Sequence, residues 1–327
     1  MKRTILTLAT LMASTALALA EPALVYDMGG KNDKSFNEAA FNGAERYKEE
    51  TGNDYRDFEV QNEQQRGQAL RRFAEDGNNP IVAIGFSQQA AIEEVAQEFP
   101  DTDFAIIDSV VDQPNVRSIV FKEHEGSYLA GIMAAMASES NKVGFVGGMD
   151  IPLIRKFACG YKGGVKSFNE DAEVIENMTG TTPAAWGDPV KGGELAKSQI
   201  ESGADVIFHA AGGTGIGVLQ AAADAGKLGI GVDSNQNMLH PGNMLTSMIK
   251  RVDNAVFDAF TEAESGEFDT GIVALGVKED GVGVAMDENN KDVVTPEMME
   301  AVDAAKAKIA SGELEVHDYM ADSNCPY

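Results

Sequence analysis

Cysteine, histidine, tryptophan and basic residues are all scarce in this chain of 327 residues. It holds two cysteines, four histidines, one tryptophan, and 26 Lys+Arg against 52 Asp+Glu, for a formal charge of −26. Such a shortage of base argues against a partner bound through its phosphate backbone, so no nucleic acid is expected. The carboxylates are spread along the chain instead of gathered in a tail, and read as a solvated acidic surface. His124, His209, His240 and His317 lack the paired spacing of a metal motif. No histidine stands in the context of a cysteine hydrolase, so Cys159 and Cys325 read as one disulfide rather than as a nucleophile. The bond would fasten the segment Ser323 to Tyr327 to the region after Pro152. Long apolar runs are missing too: beyond the N terminus, no window approaches the ~20 apolar residues that a membrane-spanning helix requires.

The motifs of cofactor and hydrolase chemistry are equally absent. The glycine loop Gly212, Gly213, Gly215, Gly217 is followed by no Gly-Lys-Ser/Thr, and its spacing does not match Gly-x-Gly-x-x-Gly, so no nucleotide cofactor is expected. There is no Gly-x-Ser-x-Gly elbow and no paired-histidine motif, which disfavours an enzyme of nucleoside or sugar metabolism.

What the chain does have begins with Lys2 and Arg3, an apolar stretch from Ile5 to Leu19, and the small-residue ending Ala18-Leu19-Ala20. That is the pattern of a secretory signal peptide cleaved after Ala20. No cysteine stands at the junction to take a lipid, so a freely diffusing periplasmic protein is expected. Losing Lys2 and Arg3 leaves the mature chain more acidic still. Its length allows one large domain or two lobes.

Short apolar runs (23–26, 81–84, 104–107, 118–121, 143–146, 174–177, 206–209) alternate with amphipathic stretches (37–51, 65–76, 87–99, 125–138, 154–169, 192–202, 214–225). Strand and helix in such alternation predict doubly wound, mostly parallel α/β sheets. Ligands of these sheets bind where strands end and helices begin. Three such junctions carry polar, aromatic or glycine residues. At the first, Asp27 ends a strand, Ser35 or Asn37 can cap a helix, and Phe36 either stacks on a planar ligand or joins the core. At the second, the glycine loop after Phe208 and His209 lets backbone N–H groups approach a ligand. At the third, Asp233 either accepts two hydroxyl hydrogen bonds, as from a vicinal diol, or caps the following turn.

Several segments together resemble one family. They are Asp27 to Asn37, Glu125 to Gly131, Val143 to Pro152, Phe157 to Gly164, Ala211 to Gly215, Gly231 to Asp233 and Thr246 to Lys250. In that order they are similar to the basic membrane protein (PnrA-like) family of ABC-transporter solute-binding proteins, whose best-understood members bind purine nucleosides. The resemblance spans the mature chain. It implies the type I periplasmic-binding fold: two Rossmann-like lobes joined by three crossing segments, here placed near Asn141, Lys250 and Asp269. The lobes would then be residues 21–140 with 250–268, and 141–249 with 269–327, after a signal of residues 1–20.

The resemblance further implies Phe36 as the base-stacking ring, with Asn37 and Asp27 or Asp33 reading the base edge. Asp108, Gly213, Asp233 and Lys250 would hold the sugar. Phe208 is the candidate for the opposite aromatic wall, unless its strand turns it into the core. Trp186 either replaces it in the cleft or anchors a loop. The implied role is that of a periplasmic, monomeric protein delivering a purine nucleoside to a membrane permease. A free base, a riboflavin-like ligand or service to a membrane sensor remain as alternatives.

Overall fold

The computed structural model describes residues 20–327; the expected signal peptide lies outside the described residues, except for Ala20. The seven apolar runs fall in strands of a larger set: β1 (Ala23–Tyr26), β2 (Arg56–Glu59), β3 (Ile81–Ile84), β4 (Phe104–Ile107), β5 (Val116–Phe121), β6 (Lys142–Met149), β7 (Glu173–Gly180), β8 (Val206–Ala210), β9 (Leu228–Asp233), β10 (Met244–Lys250), β11 (Gly271–Leu275) and β12 (Val282–Val284). They form two sheets in the orders β11-β5-β4-β3-β1-β2 and β12-β10-β9-β8-β6-β7. Every pairing is parallel except β10 with β12. Central strands such as β1, β3 and β4 are buried along their whole length, as expected of strands covered by helices on both faces.

The helices begin close to where the periodicity puts them, with one informative difference. The helix expected from Gly192 starts at Pro189, because Asp188 caps it by accepting from Lys191 N and proline suits the first helical position. Within each sheet the strand order reverses between the first and third strands, at β1/β3 and at β6/β8. These switch points open crevices at the carboxyl ends of the strands, and the two crevices face each other across a cleft.

Two of the three expected crossings lie elsewhere. The chain leaves the first sheet at Phe121, and the helix Glu123–Ala137 already packs on the helix Pro152–Phe168 of the second lobe. Glycines make this contact close: a Cβ on Gly131 would lie 2.2 Å from Tyr161 O, and one on Gly164 would lie 2.0 Å from Tyr128 O. The first crossing is therefore between Phe121 and Glu123, not near Asn141. That helix is buried all round, so its sequence does not show which sheet it serves. The third crossing follows Leu275, not Asp269, because β11 pairs in parallel with β5 as an edge strand of the first sheet. The second crossing is at Lys250: β10 belongs to the second sheet, and the next helix, Val252–Ser265, packs on Phe36–Thr51 of the first lobe.

Candidate functional site

A cavity lies between the lobes at the two switch points. The first lobe contributes Asp27, Met28, Asp33, Phe36, Asn37, Gly85, Phe86 and Asp108, and the second contributes Leu153, Ile154, Phe157, Trp186, Ala210 to Gly212, Val232 and Asp233. Lys250 enters from the second crossing.

Local structure explains each polar position. Asp33 spends both carboxylate oxygens on the first turn of the helix Phe36–Thr51, accepting from Ser35 N (2.8 Å), Glu38 N (3.1 Å) and Asn37 N (3.1 Å). It is thus the helix cap that the sequence assigns to Ser35 or Asn37. Asn37 is locked in orientation by a reciprocal pair with Asp27: its Oδ1 accepts from Asp27 N and its Nδ2 donates to Asp27 O, both at 3.2 Å. The Asp27 carboxylate takes Met28 N and Ser87 Oγ on Oδ1, each at 2.8 Å, with Arg66 at 3.5 Å from the same oxygen. Among the described residues, its Oδ2 has no hydrogen-bond partner. Burial pushes the Asp27 carboxyl above its ordinary range against these donors.

Asp108 and Asp233 share a backbone conformation rare outside glycine, with φ of 69° and 64°. Asp108 directly follows β4 and Asp233 ends β9. Lys250 Nζ lies 2.6 Å from Asp108 Oδ2 and 3.0 Å from Glu123 Oε1, and 5.0 Å from the centroid of the Phe36 ring. Asp233 Oδ2 accepts from Ser35 Oγ at 2.5 Å, across the cleft. Burial lifts Asp108 and Asp233 each to about 6, although Lys250 opposes it in both. Burial alone would depress Lys250; Asp108, Glu123 and Asp233 outweigh it and hold the ammonium above the ordinary lysine range.

Of the expected site residues, Phe208 does not belong to the cavity. It is fully buried and packs on Phe145 and Tyr161, with ring centroids 5.4 and 5.2 Å away. The physical reason is its place in the middle of β8, where the pleat turns it toward the helix Pro152–Phe168; only the end of that strand reaches the cleft. Trp186 is the aromatic that reaches it, lying so close to Gly148 that a Cβ there would sit 2.1 Å from the indole ring. Gly213 also falls outside the lining, packed near Trp186 O, and Gly212 takes its place.

Phe86, Leu153, Ile154, Phe157 and Glu123 escape the reading by sequence. Phe86 carries a usable signal, since Gly85-Phe86 follows an apolar run as Asp27 does. Gly85 has φ of 101°, and a Cβ there would lie 2.6 Å from Asp27 Oδ2.

The model of the family described as ABC transporter substrate-binding protein PnrA-like matches residues 20–319. The chain belongs to this family. It is 34% identical to an ABC transporter nucleoside-binding protein of Lactococcus lactis subsp. cremoris, over 90% of this chain and 88% of that protein. It is 35% identical to an uncharacterized lipoprotein of Pyrococcus abyssi, over 80% of this chain and 68% of that protein. An ABC transporter solute-binding protein of Aeropyrum pernix superposes with a TM-score of 0.83 at 30% identity, covering 90% of this chain and 92% of its own. The family thus fixes the α/β periplasmic-binding architecture, an extracytoplasmic small-molecule ligand and an ABC permease as partner. Its work is solute binding. The two cysteines are joined, with Cα atoms 5.6 Å apart.

Proposed function

We propose that the chain captures a purine nucleoside in the cleft and hands it to the permease. The observation that carries this reading is that one cavity combines aromatic faces with a cluster of carboxylates and an ammonium. Phe36 and Trp186, one from each lobe, supply aromatic surface, while Asp27 Oδ2 and the Asn37 amide offer an acceptor and a donor suited to a base edge. Asp108, Lys250 and Asp233 gather carboxylates and an ammonium suited to vicinal hydroxyls. The nucleoside-binding relative from Lactococcus supports the same ligand class. Asp33, committed to the helix cap, leaves the base edge to Asp27 and Asn37. The site is proposed to act in the periplasm after cleavage at Ala20. That cleavage would leave Glu21 at the new terminus, where a lipoprotein would have cysteine.

Mass spectrometry of small molecules released by denaturing the purified protein tests the assignment, together with thermal shifts. Adenosine, guanosine and inosine should raise the melting temperature and ribose alone should not. A shift with riboflavin, a sugar or an amino acid but with no purine overturns it.

A further inference from the structure

Behind the cavity, and outside its lining, lies a buried run of charges. Glu123 is the first residue of the helix Glu123–Ala137, directly after the first crossing, and its residue is 0% exposed. Its Oε1 is 3.0 Å from Lys250 Nζ and its Oε2 is 3.0 Å from Lys156 Nζ. Lys156 is itself buried, donates to Phe121 O at 2.7 Å and lies 3.6 Å from Asp318 Oδ2. One carboxylate therefore joins two of the three crossings to the helix that lines the cavity.

We infer that Glu123 is a positioning residue for ligand binding: braced by Lys156, it holds the Lys250 ammonium in the pose that serves the ligand. The inference rests on the proposed sugar-facing role of Lys250 and Asp233. An ammonium has three donors. One is spent on Asp108, and the ion pair with Glu123 at 3.0 Å anchors the ammonium from a second carboxylate, which leaves donors for the ligand. With Asp108 alone, the lysine would pivot about a single contact. Buried ion pairs are poor devices for stability, since well-packed apolar residues often serve as well. What an apolar residue cannot do at this place is orient a charge. Glu123 also acts at a distance, because its charge raises both Asp108 and Asp233. Burial works to raise Glu123 itself, but Lys250 and Lys156 outweigh it and keep its carboxyl below the ordinary range. His124, next in the chain and 4.0 Å from Asp318, is held down to about 4 by burial and stays neutral above pH 5.

The test is calorimetry with adenosine and adenine between pH 5 and 8, on the wild type, Glu123→Gln, Lys156→Met and Asp233→Ala. Glu123→Gln should weaken adenosine about tenfold or more, change adenine far less, and move the low-pH midpoint of adenosine binding downward. Lys156→Met leaves the Glu123 charge less compensated and should move that midpoint upward, which gives a second readout if Glu123→Gln folds poorly. Equal losses for both ligands with an unmoved midpoint mean a structural residue and overturn the inference. Wild-type behaviour of Glu123→Gln beside a weakened Asp233→Ala overturns it alone. Failure of the wild type to bind adenosine, guanosine or inosine overturns the nucleoside reading and this inference with it.

Discussion

Replacing Ser35 by alanine should loosen the closed cleft by removing a partner of Asp233, while every side chain proposed to grip the ligand stays in place. The loop at Lys34 and Ser35 meets the end of β9 and the loop after it through four hydrogen bonds: Ser35 Oγ to Asp233 Oδ2 at 2.5 Å and to Val232 O at 3.3 Å, Ser234 Oγ to Ser35 O at 2.9 Å, and Gln236 Nε2 to Lys34 O at 2.9 Å. Only the first is charge-assisted, and Ser35→Ala loses it together with the longer contact to Val232 O. A hydrogen bond to a charged group contributes about 1.5–3 kcal/mol, which corresponds to about 10- to 100-fold in the closing equilibrium. Apparent affinity scales with the closed population, so that factor is the ceiling on the loss; it is approached when the empty protein is mostly open. Asp233 keeps its lone pairs for the ligand, and a closing defect does not distinguish one purine ligand from another. Calorimetry should therefore show similar losses for adenosine and adenine, and small-angle scattering should show a more open average in the empty variant. Unchanged affinity, or a loss confined to the nucleoside, would refute the latch.

Other perturbations address the remaining parts. Gly148→Ala places a methyl group 2.1 Å from the Trp186 ring; the indole must move, so nucleoside binding should fall about tenfold or more, with a shifted tryptophan emission. Undiminished binding would remove Trp186 from the site. Asp108 and Asp233 sit at about 6 in the empty protein, and hydroxyl donors favour their ionised forms, so bound-state values lie lower. Affinity is then full above about pH 7 and declines as pH falls through about 6, by up to about one decade per pH unit for each carboxylate; a flat profile from pH 5 to 8 would contradict this. For folding of the empty protein the sign is opposite. Two carboxyls raised in the folded state contribute stability below their unfolded values, near 4, that is lost as pH rises through about 6. The Cys159–Cys325 bond closes a span of 166 residues, so Cys325→Ser should cost about 2–5 kcal/mol. An unchanged unfolding midpoint in denaturant would show that the bond contributes nothing.

The parts of the fold that bury whole strands were legible, because β1, β3, β4, β6 and β8 read as apolar runs between helical stretches. The strand β2, Arg56–Glu59, was not, since this polar edge strand is only half-buried and leaves no apolar signature. The crossings misled for a related reason: the alternation of strand and helix says that a helix follows β5, but not which sheet that helix covers. In the candidate site, the junction residues Asp27, Phe36, Asn37 and Asp233 line the cavity because crevices open where strands stop and helices begin. Phe208 shows the limit of that rule, since two residues back along a strand is enough to turn a ring into the core. Glu123 left no local trace at all; its partners lie 33 and 127 positions away in the chain, at Lys156 and Lys250.

The matching order of strands in the two sheets makes β4 and β9 counterparts, so Asp108 and Asp233 hold one and the same position in two copies of a plan. Both keep the left-handed turn, yet one has taken a lysine as companion and the other a serine. A protein arranged in this way can change its diet by halves. The loops at one switch point can be rewritten for a new ring or edge while the opposite copy keeps its hold, and no intermediate sequence has to surrender the whole grip at once.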